Sequence, residues 1–269
     1  MQGLDLPPIR SSDVPKAQDH GWHRGVDLLD ARTIVMDLTI GPAASDAAYE
    51  TLLNALRAVM VPTTTFSGLA SPEIPLAFQR GGAKYLLNVR PRGFAFPQTT
   101  DYMFHIQSGS IQLVASDPRI YDLTQQSAST TIAEATGGLS TVLSTVLATS
   151  GASSSGTVSV TNAGTFGTRP TITINGPSSG SLSGFTITNT TQGVALSFPS
   201  LALSPGDSLV IDTGPRTVVL NGTGSRRGSL GAGSTWFELP PGVAQSLTLT
   251  GSDASATSSM TVAFRNAWL

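Results

Sequence analysis

The sequence predicts a mainly β protein in two parts, a helix-bearing β domain followed by an antiparallel β-sandwich. Three observations carry this prediction: one amphipathic run around residue 50, a series of short β-prone runs after residue 156, and a change of composition near residue 135. At 269 residues the chain is long for one small module and fits two domains of ordinary size.

The first twenty residues hold Pro7, Pro8 and Pro15 and read as an extended arm. Arg32 to Ile40, Lys84 to Val89 and Tyr102 to Ala115 are rich in β-branched, aromatic and leucine residues and read as strands, the last open to a break at Ser108-Gly109. Between the first two lies the helix. Ser45 stands as a cap before Asp46, and Ala47 to Met60 places Ala48, Leu52, Leu53, Leu56, Val59 and Met60 on one stripe before Pro62 stops it. Asp46 and Glu50 near its start and Arg57 near its end complement the helix dipole.

Before residue 135 lie all four Tyr, all three His, both Lys, ten of fifteen basic and thirteen of seventeen acidic residues, so the charge belongs to the first part. Thr136 to Gly156 is then free of charge, with an internal echo of Leu-Ser-Thr-Val at Leu139 and Leu143, read as extended, and a Ser/Gly run from Gly151. This divides the chain into domain 1–135, with 1–20 as the arm, linker 136–156 and domain 157–269. In the last, Thr157–Thr161, Thr171–Ile174, Phe185–Asn189, Val194–Phe198, Ser208–Asp212, Thr217–Leu220, Thr235–Leu239, Ser246–Thr250 and Ser259–Phe264 read as strands. Asn175-Gly176, Gln192-Gly193, Pro205-Gly206, Asn221-Gly222 and Pro241-Gly242 supply the turns, the pattern of an antiparallel sandwich.

Composition narrows the function. With no Cys, thiol nucleophiles, disulfides and Cys-based metal sites are excluded. A net charge of −2 without a basic block removes the usual footprint of a nucleic-acid binder. No run approaches the length of a membrane span, and MQGLDLPPIR has neither the basic nor the apolar region of a signal peptide, so synthesis in a cytoplasm is expected. Charged residues are only 12% of the chain, about half the usual ~25%, which suits a surface covered by neighbours or an extracellular β-rich module.

The search for chemistry finds no convincing set. Gly176-Pro177-Ser178-Ser179-Gly180 matches the hydrolase Gly-x-Ser-x-Gly pattern but is followed by a β-run where a helix is needed, and it reads as a loop. His20 and His23 beside Asp19 have ligand-like spacing, but the remaining His105 lies in a predicted strand, so they read as surface histidines. Asp207, Asp212, Glu238 and Asp253 offer no glycosidase pair. Asn189-Thr190-Thr191 and Asn221-Gly222-Thr223 match the glycosylation pattern but read as turns. No catalytic, cofactor or metal residue is assigned, and no cofactor is expected.

A set of phrases carries a resemblance. Val160 to Thr165, Arg169 to Pro177, Gly206 to Thr213, Arg216 to Gly222, Trp236 to Gly242 and Ala263 to Trp268, preceded by Trp22-His23-Arg24-Gly25, Arg32-Thr33-Ile34 and Ser116 to Tyr121, are similar in order and spacing to the distal tail (Dit-like) proteins of long-tailed bacteriophages, the minor tail proteins of actinobacterial phages. Leu139 to Thr149 and Val243-Ala244 depart from that pattern. The resemblance implies a ring-forming, tail-tube-like N-terminal barrel or sandwich with one helix and a galectin-like C-terminal sandwich. It further implies a six-copy ring in the virion, joining the tail tube to the tip beside the tape-measure and tail-hub proteins.

The leading expectation is therefore a structural adaptor and not an enzyme. Its alternative is a module binding a host cell-wall glycan, for which Trp236 with Phe237 is the only aromatic pair in the second part. Neighbouring strand residues face opposite ways, so one of the two at most is exposed, and the core is the expected place for Trp236.

Overall fold

The computed structural model describes residues 1–61, 73–97, 103–133, 155–253 and 255–269. The chain divides into two compact units, Met1–Leu123 with Leu269, and Thr124–Trp268.

The first unit opens with a two-stranded ribbon. Strands β1 (Ile9–Arg10) and β4 (Leu28–Leu29) pair antiparallel, and so do β2 (Val14–Pro15) and β3 (Trp22–His23). Between the pairs, Ser12 Oγ donates to Val26 O and accepts from Val26 N, so a side chain continues the ladder. The expected arm is therefore a hairpin reaching residue 29, and its first residues are not free. Gln2 and Val35 exchange backbone hydrogen bonds, and the buried Arg32 donates from Nε to Pro118 O and from Nη1 to Gly3 O and Asp5 O. A Cβ on Gly3 would meet Thr33 O at 2.0 Å, so only glycine permits that approach.

Strand β5 (Arg32–Ile40) has the predicted bounds, and Ser45 Oγ accepts from Ala48 N to cap α1 (Asp46–Met60). The helix buries Tyr49 and Leu53 and leaves Leu52 and Val59 exposed, so its inner face is rotated from the predicted stripe. Tyr49 decides the rotation, because its hydroxyl donates to the buried Gln107 Oε1, whose amide donates on to Phe96 O and Pro97 O.

Strand β6 (Ile74–Arg80) turns through Gly81-Gly82 into β7 (Ala83–Ala95), both glycines at positive φ. The first half of β7 pairs with β6 and with β9 (Ile120–Asp122), and its second half pairs with β8 (Gln107–Ala115) across a register shift at Pro91–Gly93. The irregularity accommodates a proline inside a paired strand. Strand β8 then pairs with β5 from Arg32↔Ala115 to Ile40↔Gln107 without interruption, so the expected break at Ser108-Gly109 does not occur. Ile34, Leu87, Val89, Ile111 and Leu113 are buried along these ladders.

The second unit begins at Thr124, earlier than the compositional change at 135. Strand β10 (Gln126–Thr131) pairs with β19 (Ser259–Phe264) along its whole length. The next strand of this unit is β11 (Thr157–Thr161), and the expected linker 136–156 lies, apart from its last two residues, outside the described residues.

The remaining strands are β12 (Thr171–Asn175), β13 (Leu182–Asn189), β14 (Val194–Leu203), β15 (Ser208–Asp212), β16 (Thr217–Leu220), β17 (Gly224–Ser225) and β18 (Ala244–Asp253). They form two antiparallel sheets, β10-β19-β12-β15-β16-β17 and β11-β18-β13-β14. Alternate residues from both fill one core, Ile172, Ile174, Ile211 and Val262 from the first sheet and Ile187, Leu196, Phe198 and Leu249 from the second. The rings of Phe185 and Phe198 stack across β13 and β14 at 5.0 Å. Thr235–Leu239 is an extended segment and not a strand. It is held by single bonds, Thr235 N to Ala195 O and the exchanged pair Thr168–Leu239.

Candidate functional site

The residues weighed as catalytic or metal-binding occupy separate structural positions. His20 and His23 lie exposed on the hairpin. His105 is in a turn before β8 and not in a strand; its φ is 55° and its Nε2 lies 2.8 Å from Asp46 Oδ1. Ser178 sits on the loop between β12 and β13 and bonds to Thr257 Oγ1. Each carboxylate has its own task. Asp207 accepts from Ser204 N and Asn221 Nδ2, Asp212 accepts from Gly214 N, and Glu238 pairs with Arg169. The Asn221 and Ser204 bonds hold the Asp207 carboxyl below its usual pKa.

Asp253 ends β18 and organises the turn into β19. Its carboxylate accepts from Ser255 N and Oγ, Thr257 N and Ser258 N. Burial pushes this carboxyl up, and the hydrogen bonds from Ser258 and Ser255 outweigh it, bringing the pKa from 3.8 to about 2. A pKa depressed on folding adds stability that is complete above the unfolded value and is lost as pH falls through the folded one. Between pH 3.8 and about 2, acid is therefore expected to remove on the order of 1–2 kcal/mol through this residue. Asp253→Asn should flatten that part of the curve of melting temperature against pH; an unchanged acid limb would refute the assignment.

Beside the exchanged bonds of Thr168 and Leu239 the second unit has a surface depression. Both of those residues are fully buried. Their neighbours Arg169 and Glu238 consequently face outward, and Arg169 Nε donates to Glu238 Oε1 at 2.7 Å. Along the same segment Phe237 enters the core, while Trp236 is partly buried and packs against that core from its periphery. Phe237 is thus the inner member of the pair, and Trp236, expected in the core, packs against that core. Trp236, Arg169 and Glu238, with Gly214 and Arg216 of the β15–β16 turn, line a depression of about 250 Å³.

The base of this site is rigid. The buried Asn162 donates to Phe166 O and Leu239 O and accepts from Gly164 N and Ala267 N, tying the end of β11 to the Trp236 segment and to the C-terminal residues. Gly164 is required there, since a Cβ would fall 1.9 Å from Ala267 O. Sequence reasoning identified the aromatic pair but not its companions. Arg169 and Glu238 are 69 residues apart, and no local pattern joins them.

The phrases that converge on Asn162 and the depression fall in one stretch of homology. Residues 163–268 match the family model for the siphovirus-type tail component, C-terminal domain. That part of the second unit is therefore similar to the C-terminal domain of siphovirus-type tail components. Dit-like architecture extends beyond that match. Over 100% of this chain and 91% of the other, the fold superposes on the crystal structure of Dit from phage SPP1, described as a paradigm of the hub adsorption apparatus in phages infecting Gram-positive bacteria, with a TM-score of 0.66 at 15% identity. A chain of the phage P2 baseplate in its activated, Ca-bound conformation aligns over 97% of this chain and 87% of its own at 11% identity, with a TM-score of 0.47. No curated protein matches the chain. The Dit-like fold is mainly β with one described helix, as the sequence predicted.

Proposed function

We propose that this protein is a structural component of a phage virion, the distal-tail adaptor of the baseplate hub that connects the tail tube to the tail tip. The observation that carries the proposal is the tail-component match over 163–268, set within a full-length Dit fold. In this reading the protein acts by assembly. Copies close into a homo-oligomeric ring, six by the family resemblance, which meets the tail tube, tape-measure and tail-hub proteins after synthesis in the host cytoplasm.

The hairpin supplies a physical reason for assembly. Isolated two-stranded ribbons are marginal in water, yet Ile9, Val14, Trp22, Val26 and Leu28 are all at least half exposed on this one, Trp22 at 62%. A closed ring needs two complementary patches on each copy, and an apolar ribbon rooted at β5 is suited to be one of them. The first five residues are bound to their own chain, so the clasp begins after them.

Mass photometry and negative-stain microscopy test this. The full chain is expected to form rings at micromolar concentration. Replacing residues 11–27 by a short glycine turn, with β1, β4 and the Arg32 anchor kept, should yield monomers of unchanged melting temperature. A full chain that stays monomeric, or rings that survive the excision, would count against the hairpin clasp.

A further inference from the structure

Helix α1 carries an apolar face wider than the part its own fold covers. Tyr49 and Leu53 are buried beneath it, while Ala48, Leu52, Ala55 and Val59 follow one another at four- and three-residue steps along a neighbouring line. Leu52 is 51% exposed and Val59 59%. The three charged residues of the helix, Asp46, Glu50 and Arg57, stand together on the opposite shoulder, where Glu50 and Arg57 approach to 3.9 Å. Between the two shoulders the outward residues Ala47, Thr51 and Ala58 are exposed, small and uncharged. A helix that faces only water turns its charged side outward, and this one turns it aside.

The occupant of this face follows from what else the chain exposes. Among the described residues every exposed large apolar side chain except Val243 lies in the first unit, so that unit carries the surfaces in need of a partner. In the single chain the helix face and the ribbon do not cover each other, since Leu52 and Trp22 both stay exposed. A closed ring of more than two copies also excludes α1 against α1, because each of its contacts joins two different patches. The ribbon is the patch that fits. Its cross-strand neighbours Pro15 and Trp22 share one face, and the stretch from Ile9 to Pro15 runs about 23 Å at the rise of a strand. The 15 residues of α1 span about 22 Å. An apolar ribbon and an uncharged helix face of equal length can bury one another without stranding a charge. Met103 and Phe104, the other exposed apolar pair, occupy a single turn at the start of α1 in the same copy, where His105 meets Asp46.

We propose that the outer face of α1, centred on Leu52 and Val59, is the docking surface for the ribbon of the next copy, with Pro15 and Trp22 laid against it. The proposal rests on the adaptor reading with its hairpin clasp, and it names the second patch that a closing contact requires. Each copy gives its ribbon to one neighbour and receives the ribbon of the other on α1.

The chain has no cysteine, so introduced thiols report without background. His23→Cys, beside Trp22, and Ala55→Cys, between Leu52 and Val59, replace exposed residues and keep the apolar side chains. The two single variants of the full chain are co-expressed, treated with a short bismaleimide and digested for mass spectrometry, so that a peptide linked between positions 23 and 55 can arise only between copies. That link is expected. Links of 23 to 23 or 55 to 55 in its place, or a stronger product when Met103→Cys replaces His23→Cys, would overturn the proposal. Leu52→Glu combined with Val59→Glu should leave monomers of unchanged melting temperature under conditions where the parent chain forms rings, and rings that survive this change would overturn it as well. Rings without the 23–55 link defeat this proposal and leave the adaptor reading standing, whereas a chain that gives neither rings nor link defeats both.

Discussion

Phe237→Ala is expected to destabilise the second unit by about 3–5 kcal/mol, the usual cost of truncating a buried phenylalanine. Phe237 is 5% exposed and belongs to the core that both sheets fill. The backbone on either side is tied down, Thr235 to Ala195 and Leu239 to Thr168, so the segment cannot collapse readily into the space left behind. For a domain of this size the loss corresponds to a fall of roughly 10 °C in melting temperature. Trp236→Ala should cost less, about 1–3 kcal/mol, because that side chain is partly exposed and packs against the core from its periphery. Thermal melts of the two variants decide the matter. A larger loss for Trp236 than for Phe237 would reverse their assigned places.

Arg32→Ala is expected to be as damaging to the first unit, by about 3–5 kcal/mol, in the range found when one partner of a buried charged interaction is deleted. Burial lowers the guanidinium pKa, and the charge of Asp5 partly restores it. The side chain donates to the carbonyls of Gly3, Asp5 and Pro118 and so ties the N-terminal segment to the chain before β9. Truncation should release residues 2–5 from β5 as well as lower the melting temperature. Hydrogen exchange reads this directly, since Val35 N bonds to Gln2 O. Arg32→Lys should fail to rescue, because a compact ammonium cannot span the three acceptors that a guanidinium fork reaches. A Val35 amide that remains protected in Arg32→Ala would show that the N-terminal residues are held by other means.

The second unit was legible in the sequence to the extent that its signals were local. Thr157–Thr161, Ser208–Asp212, Thr217–Leu220 and Ser259–Phe264 have their predicted bounds because alternation within a strand and the turn residues at its ends act over a few positions. The helix was predictable for the same reason, since Ser45 caps a turn of backbone three residues away. Strand β6 has a local signal too, the Gly81-Gly82 turn that leads into β7.

What escaped the sequence depended on partners far along the chain. Gln126–Thr131 joins the second unit because β19, more than a hundred residues later, offers it an edge with matching register. Which of Trp236 and Phe237 enters the core depends on the face that Leu239 presents to Thr168, and alternation alone is satisfied by either choice. Arg32 looks like any strand-end cation until Gly3, Asp5 and Pro118 enclose it, and Arg169 becomes half of a site only when the fold places Glu238 against it. Periodicity specifies the conformation and two-sidedness of a segment. Burial and pairing are properties of the segments it meets, and those meetings arise only when the whole chain folds.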